Sequence, residues 1–471
     1  MSRNKEYIKN TILLFIGKFS TQFMSLLLLP LFTHFLIKED YGYIDLMQTY
    51  ISLLFPILTL RIDSAAFRFL IEARENEKKK KQIISSLLII LFYAIVITLI
   101  IDIIVNLYIS INYNIYIVTN IISIMVSNLL LQILRGFGKN KQYSIASIIT
   151  GSFNLITNVL LIIVFNFGAN SILIASIISN IACALYIFVI AKIYKYVTPK
   201  SVKKEEIKKI IKYSIPMIPN HLSWWVVNVS DRTIISYFLG AAINGIYTVS
   251  CKFSNILNSV FSIFNMSWQE SASLHIDDED KDKFFTGIVN KLLLLFCDIS
   301  ILILVFIPIF FDIAIGKSYI DSYQYIPILL YSNIWNILIS LIGGIYVAKK
   351  KTEEMAKTTI LSAIINIIIH VLLIKYIGLY AACISTLISY IIMGIYRLID
   401  CQKYVRIKLN YKKLIIFTLI YLLCTVSYII NNLIINIITL LIVLLYLFVS
   451  NYKMIKVILK KFLKGKKYEK I

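Results

Sequence analysis

Apolar runs of about 20 residues recur from one end of this chain to the other, and they restrict its fold more than any other feature does. A helix rising 1.5 Å per residue needs about 20 residues to cross roughly 30 Å of hydrocarbon, with every backbone group bonded internally. About 14 such runs are found. They lie near 11–35, 43–61, 83–108, 113–134, 143–166 and 170–191, then 214–238, 244–266, 287–311, 323–347, 357–375 and 378–398, and finally 413–430 and 433–451. Of the 471 residues 59% are hydrophobic, and no stretch alternates long enough for a soluble sheet domain. The expected fold class is therefore an all-α polytopic membrane protein. The first run is flanked by Arg3, Lys5 and Lys9 but carries Lys18 and lacks a small-residue cleavage site, so it is expected to be retained.

A net charge of +23 raises the question of nucleic acid, and the placement of the charge answers it. About 42 of the 48 Lys and Arg fall at the two termini and in alternate loops, such as 61–81, 192–212, 349–351 and 397–413. The opposite loops hold Lys38, Lys317 and Lys375. This asymmetry predicts an even number of crossings with both termini in the cytoplasm. The partners of the charge are then anionic membrane lipids, and nucleic acid is excluded.

The chain also repeats itself. Phe35-Leu36, a five-residue spacer and Gly42 recur as Phe238-Leu239, the same spacer and Gly245, 203 residues on. Asn154 to Ile162 matches Asn366 to Ile374 at an offset of 212, which also relates Lys139 to Lys351. An even number of crossings between copies gives them one orientation, as in transporters whose halves rock about a central path. We therefore expect two pseudo-symmetric six-helix lobes, 1–192 and 213–400, joined by a basic cytoplasmic linker at 193–212. Two extra helices and a basic tail follow at 401–471.

Ionisable groups inside apolar runs are costly, about 2.5–3.5 kcal/mol for a Lys or Arg at the helix centre, and so mark candidate sites. Helical spacing sorts them into stripes: Lys18, Gln22 and Ser25; Asp45, Gln48 and Ser52; His221, Trp225, Asn228 and Arg232, with Asp231 beside them; and Thr248, Lys252, Asn255, Ser259 and Ser262. Such faces line a cavity or pack on one another. Cationic groups there suit an anionic ligand. Two readings stay open for Asp231: ion coupling, or a structural pair with Lys252. His221 stands between ligand contact, proton coupling and simple packing, whereas His370 reads as structural.

Other features carry less. Pro216 and Pro219 either bend the seventh helix or open it. Arg61, Asp63 and Arg68 crowd one helix end; snorkelling suits Arg61, and Arg68 is placed at the inner mouth of a cavity. Asp277 to Asp280 contains an Asp-x-Asp sequence of the kind that holds a cation against a diphosphate, but no nucleotide-binding pattern surrounds it, so it reads as a solvated charge run. Six cysteines without close spacing point to neither disulfides nor a metal site, and no cofactor is expected.

Tyr213-Ser-Ile-Pro216 with Pro219, then Asp231-Arg232, Leu239-Gly240 and Gly245-Ile246-Tyr247, ending in Phe264 and Trp268, resembles the signature of Wzx-type polysaccharide flippases. These belong to the multidrug, oligosaccharidyl-lipid and polysaccharide exporter superfamily. Tyr41-Gly42, Asp63-Ser64-Ala65 with Arg68-Phe69, and Gln132 to Arg135-Gly136 with Lys139 agree with it. One departure is Arg61, where family members often carry Gly. The resemblance implies a non-enzymatic transporter of the bacterial cytoplasmic membrane. It would move an undecaprenyl-diphosphate-linked oligosaccharide for surface polysaccharide, alongside a glycan polymerase and other assembly proteins.

On that basis the diphosphate and sugars are expected to meet Lys18, Gln22, Arg68, Trp225, Asn228, Arg232, Lys252 and Asn255. Coupling to H⁺ or Na⁺ through Asp45, Asp231 or His221 is left open. The competing readings are a lipid II flippase, a multidrug cation antiporter and, from another class, a membrane-embedded glycan polymerase or ligase. The short outer loops disfavour the last.

Overall fold

The computed structural model describes residues 3–109, 112–349 and 351–468, and nearly all of them are helical. In chain order the α-helices are α1 (Arg3–Phe35), α2 (Lys38–Leu58), α3 (Ile62–Glu72), α4 (Glu77–Tyr108), α5 (Asn114–Gly136), α6 (Asn140–Val159), α7 (Asn170–Ile190), α8 (Lys204–Ser214), α9 (Ile218–Val229) and α10 (Asp231–Leu239). They continue as α11 (Ala241–His275), α12 (Lys281–Ala314), α13 (Ile326–Ala348), α14 (Thr352–Ile377), α15 (Tyr380–Asp400), α16 (Tyr411–Ile430) and α17 (Leu433–Tyr468). Among the described residues ten helices are long and apolar enough to cross a membrane. The expected runs at 11–35, 43–61, 214–238 and 244–266 are helical but not among the ten, and side chains in the first are described only in part.

The chain forms two compact units. One comprises Met1–Lys252, Gly316–Tyr319 and Glu353–Ser385; the other comprises Phe253–Ile315, Ile320–Thr352 and Thr386–Ile471. The lobe and linker boundaries read from the sequence are a separate expectation.

In the first unit α6 packs on α1 and α7, and α5 on α3 and α7. Small residues permit the approach: a Cβ on Gly17 would lie 2.9 Å from the Ser144 Cα, and one on Gly151 would lie 2.6 Å from the Met24 sulfur. With no hydrophobic drive between helices in lipid, such close packing is what holds them. The outer face of α4 leaves Phe92, Ile97, Ile100, Ile103 and Leu107 exposed, the apolar surface a lipid-facing helix requires.

The seventh run, expected as one helix, is divided. Pro216 lies in a 3₁₀ turn (Ile215–Met217) and Pro219 in the first turn of α9, where a missing N–H costs nothing. The prolines therefore open the helix. A further break falls at Ser230, whose hydroxyl donates to the Val226 carbonyl at 2.5 Å. The 193–212 segment is partly helical. It ends in amphipathic α8, which buries Ile210 and Ser214 while packing on α3 and α4.

A close crossing in this unit joins α2 to α11. A Cβ on Gly42 would lie 1.9 Å from the Ala241 carbonyl oxygen, and one on Gly245 would lie 2.5 Å from that of Lys38. Asn244 Nδ2 donates to the Gly42 carbonyl at 2.8 Å. Gly42 and Gly245 are the two glycines related by the 203-residue offset.

In the second unit α12 packs on α13, α16 and α17. Trp268 lies over Gly344 and donates from Nε1 to the Leu341 carbonyl at 2.7 Å. Asn333 Nδ2 donates to the Ser254 carbonyl at 2.8 Å, and Asn258 Nδ2 to Asn333 Oδ1 at 2.8 Å, tying α11 to α13. The acidic run is spread over local contacts: Asp277 pairs with Lys349 at 2.6 Å and Asp278 with His275 at 2.7 Å. The six cysteines are buried free thiols.

Candidate substrate and ion site

Residues of α2, α10 and α11 build the candidate site in the first unit. Arg232 Nε donates to Asp45 Oδ2 at 2.6 Å, and the Thr248 hydroxyl donates to the same oxygen at 2.8 Å. The Arg232 and Asp45 side chains are 14% and 13% exposed, so the pair is largely withdrawn from solvent. Asp45 and Thr248 are themselves related by the 203-residue offset.

Lys252 follows one turn beyond Thr248 on α11, where Asp45 and Arg232 are the charged groups acting on it. Among the described residues it is in ion-pair contact with no carboxylate. One carboxylate thus serves two cations, and one positive charge is left over. A half-buried charge without a partner is costly, and an anion relieves that cost.

The neighbouring residues face elsewhere. Asp231 is buried; Tyr247 donates its hydroxyl to Oδ2 at 3.0 Å, and His370 Nδ1 meets Oδ1 at 3.1 Å. His370 is fully buried, and its Nε2 has no hydrogen-bond partner among the described residues. The pairing of Asp231 with Lys252, considered on sequence grounds, is not formed. Arg232 has Asp45 as its carboxylate.

One turn along α2 from Asp45 a cavity of about 460 Å³ opens, lined by Gln48, Ser52, Arg61, Asn120, Ser176 and His221 among others. Arg61 donates to the Ser64 hydroxyl at 2.7 Å and bridges Asp63 at 3.1 Å, but its Nε is buried without a partner. Its backbone is left-handed, with φ 59°, as is that of Leu60 at 49°. Glycine adopts that region freely, and a non-glycine residue held there is strained. Arg61 takes on the strain and places a cation in the cavity wall.

The remaining expected contacts are dispersed. Arg68 is exposed and bridged to Glu72 at 3.0 Å, whereas Arg61 is among the residues that line the cavity. Trp225 is pinned to α2, its Nε1 donating to the Thr49 carbonyl and the Ser52 hydroxyl at 3.0 Å each. Gln22 is half-buried on α1. Asn255 is exposed in the second unit, within 3.4 Å of Asn258. The side chains of Lys18 and Asn228 lie outside the described residues.

Asn120 and Ser176 were not singled out from sequence, although polar positions three or four apart inside apolar runs signalled them: Asn120, Ser123 and Ser127 on α5, and Ser176, Ser179 and Asn180 on α7. Ser176 donates to Asn120 at 2.8 Å and Ser127 to Asn180 at 2.7 Å. His370, read from the sequence as structural, is fully buried against Asp231.

Solved structures share this fold. The lipid II flippase MurJ in an inward closed conformation aligns with a TM-score of 0.67 at 19% identity, over 95% of this chain and 100% of that one. An inward-facing multidrug resistance MATE family transporter of the MOP superfamily gives 0.63 at 12% identity, over 81% and 94%. The Vibrio cholerae MATE transporter VcmN gives 0.58 at 14%, over 85% and 96%. No curated protein sequence matches. The chain is thus a multi-pass membrane protein with the fold of the MOP superfamily transporters. A family model described as polysaccharide biosynthesis protein matches residues 7–268, more than half of the chain, and the chain belongs to that family.

Proposed function

We propose that this protein is a flippase that carries an undecaprenyl-diphosphate-linked oligosaccharide across the bacterial cytoplasmic membrane by alternating access. The observation that carries the reading is the Asp45–Arg232–Lys252 cluster, with two cations for one carboxylate. A diphosphate supplies the missing negative charge. The cavity bearing Arg61, His221, Gln48, Asn120 and Ser176 offers the mixture of cationic and amide or hydroxyl groups that a phosphate and sugars use. The prenyl chain stays in lipid, so only the headgroup requires a polar path. Membership of a polysaccharide biosynthesis family supports this substrate class.

Ion coupling, by H⁺ or Na⁺, is assigned to Asp231 with His370, because Asp45 is already engaged by Arg232 and Thr248. A lipid II substrate is the second reading, favoured by the likeness to the lipid II flippase across the whole of that chain. Both substrates present a diphosphate on a polyprenyl lipid, so the cluster serves either. A multidrug cation substrate suits the surplus positive charge poorly. The termini and the basic loops are placed in the cytoplasm by charge asymmetry.

Deletion of the gene is expected to accumulate the lipid-linked oligosaccharide on the inner leaflet and to remove surface glycan. Complementation with Lys252→Glu or Arg232→Glu, at verified expression, should not restore it; normal glycan would overturn the assignment. Rescue of a strain depleted of lipid II transport would select the second reading.

A further inference from the structure

The second unit holds a basic groove and an apolar cleft that meet at two shared residues, and the function proposed above uses neither. Between α15 and α16 the chain runs extended and alternates. Val405, Ile407 and Leu409 are buried, while Arg406, Lys408 and Asn410 face outward.

Three side chains spaced one turn apart on α12 fix this segment. Asp282 Oδ1 accepts the Arg406 N–H at 2.9 Å. The Thr286 hydroxyl accepts the Lys408 N–H at 3.2 Å and donates to the Arg406 carbonyl at 3.3 Å. Asn290 accepts the Asn410 N–H and donates to the Lys408 carbonyl, both at 2.8 Å.

An open groove of about 720 Å³ results, carrying Lys291, Lys408, Lys412 and Lys413, and among the described residues no acidic one lines it. Among the described residues none of the four lysines is in an ion pair. Lys412 and Lys413 occupy the first turn of α16, which has no acidic residue. There their charges add to the positive end of the helix dipole. Four cations and a helix N-terminus facing one groove repel one another until an anion enters.

Behind the groove lies a cleft of about 570 Å³ among α12, α13, α15 and α16, lined by Leu293, Trp335, Leu338, Ile395 and Phe417 among others. Two of its polar members, Tyr331 and Thr418, are hydrogen-bonded to each other at 3.1 Å. Leu409 and Tyr411 line both spaces, so the basic groove continues into the apolar cleft. That volume falls within the roughly 300–1,000 Å³ of small-molecule sites.

We propose that this pair of spaces holds one anionic glycerophospholipid, its phosphate on Lys291, Lys408, Lys412 and Lys413 and an acyl chain in the cleft. A free phosphate leaves the cleft unfilled, and a zwitterionic lipid leaves the four lysines uncompensated. The whole site belongs to one compact unit and is held by fixed side-chain bonds to the backbone, which suits a resident lipid rather than a passenger.

Native mass spectrometry and thermal melting of the purified, delipidated full chain test this with four probes: phosphatidylglycerol, phosphatidylethanolamine, inorganic phosphate and a polyprenyl phosphate. Wild-type protein should retain one phosphatidylglycerol and bind it at least tenfold better than phosphatidylethanolamine, with a matching rise in melting temperature. Combined Lys291→Gln, Lys408→Gln, Lys412→Gln and Lys413→Gln should abolish that preference. The same charge change at exposed Lys78, Lys81, Lys204 and Lys208 should leave it intact. Ile395→Trp, which fills the cleft, should weaken phosphatidylglycerol binding while the lysines remain. Equal binding of the two phospholipids, an unchanged preference in the quadruple variant, or an equal melting shift from phosphate alone would overturn the proposal. Tighter binding of the polyprenyl phosphate at these lysines would also overturn it.

Discussion

Lys252→Met separates a structural role from a substrate role, because the two predict opposite changes in stability. If Lys252 is the cation left over beside the neutral Asp45–Arg232 pair, replacing it with an apolar chain of similar length removes a charge that is costly to bury. The insertion cost of such a lysine is about 2.5–3.5 kcal/mol at a helix centre. Lys252 is only half-buried, so part of that is recovered, on the order of 1–2 kcal/mol. Removing Asp45 instead, as Asp45→Asn, leaves Arg232 and Lys252 facing each other without a counter-charge, a change of the kind that costs about 3–5 kcal/mol. Arg232→Gln should fall between them. Asp45 then keeps its bond from Thr248 at 2.8 Å and has Lys252 one turn along the same helix. The expected order of melting temperature is Lys252→Met at or above wild type, then Arg232→Gln, then Asp45→Asn. Fluorescence-detected melting of purified protein reads that order, and surface glycan in a complemented deletion strain reads function. Lys252→Met should be stable and inactive. A variant as unstable as Asp45→Asn would show that Lys252 holds the fold, and wild-type glycan would remove it from the substrate path.

Other substitutions test separate parts of the argument. Gly42→Ala should prevent accumulation of folded protein, since its Cβ falls 1.9 Å from a carbonyl oxygen, whereas Gly287→Ala, with nothing within 4 Å, should match or exceed wild type by up to about 1 kcal/mol; expression and melting decide both. Arg61→Gly should melt within about 1 kcal/mol of wild type, because relief of about 1–2 kcal/mol of left-handed strain offsets the bonds lost to Asp63 and Ser64, and should nonetheless transport more slowly. His370→Ala should alter the dependence of transport on the proton or sodium gradient more than the affinity for substrate, and an unchanged gradient dependence would remove His370 from coupling. Trp225→Phe deletes two hydrogen bonds from one ring nitrogen and should cost about 1 kcal/mol in melting experiments.

Membrane character and the ten apolar spans were legible because length and apolarity fix them locally, whereas the division of the seventh run was not. Legible too were Arg232 and Lys252, since an ionisable group in an apolar run stands out in one dimension. Partner choice was not. Nothing in the stripe His221–Trp225–Asn228–Arg232 shows that Asp231 turns to a histidine 139 positions away, or that Arg232 finds Asp45, because these pairs are set by packing of helices remote in sequence. Arg61 was read as snorkelling; the structure adds that it lines the cavity on a left-handed backbone, a conformation that its charge alone does not signal. The repeat was worth more than a count of matches, because it paired Gly42 with Gly245 and Asp45 with Thr248, and both pairs touch.

The absence of α2 and α11 from the apolar spans has the same origin as the candidate site, while α9 and α10, with 12 and 9 residues, are each too short to cross. These four helices supply Asp45, Trp225, Asp231, Arg232, Tyr247, Thr248 and Lys252, and their polarity is answered mainly by one another. The wiring is by neighbours: Asp231 and Arg232 adjoin on α10, Tyr247 and Thr248 adjoin on α11, and Tyr247 serves the first while Thr248 serves the partner of the second. Consecutive helical residues point about 100° apart, so α10 presents its two charges to two different clusters. A rotation of α10 that loosens Asp231 from His370 and Tyr247 must also move Arg232 against Asp45. Under the proposed function this gives ion binding at Asp231 a direct mechanical effect on the cation that meets the diphosphate. The consequence is measurable, because Asp231→Asn should change the affinity for a diphosphate lipid although Asp231 does not touch it. An affinity equal to that of wild type would mean that the two clusters act independently.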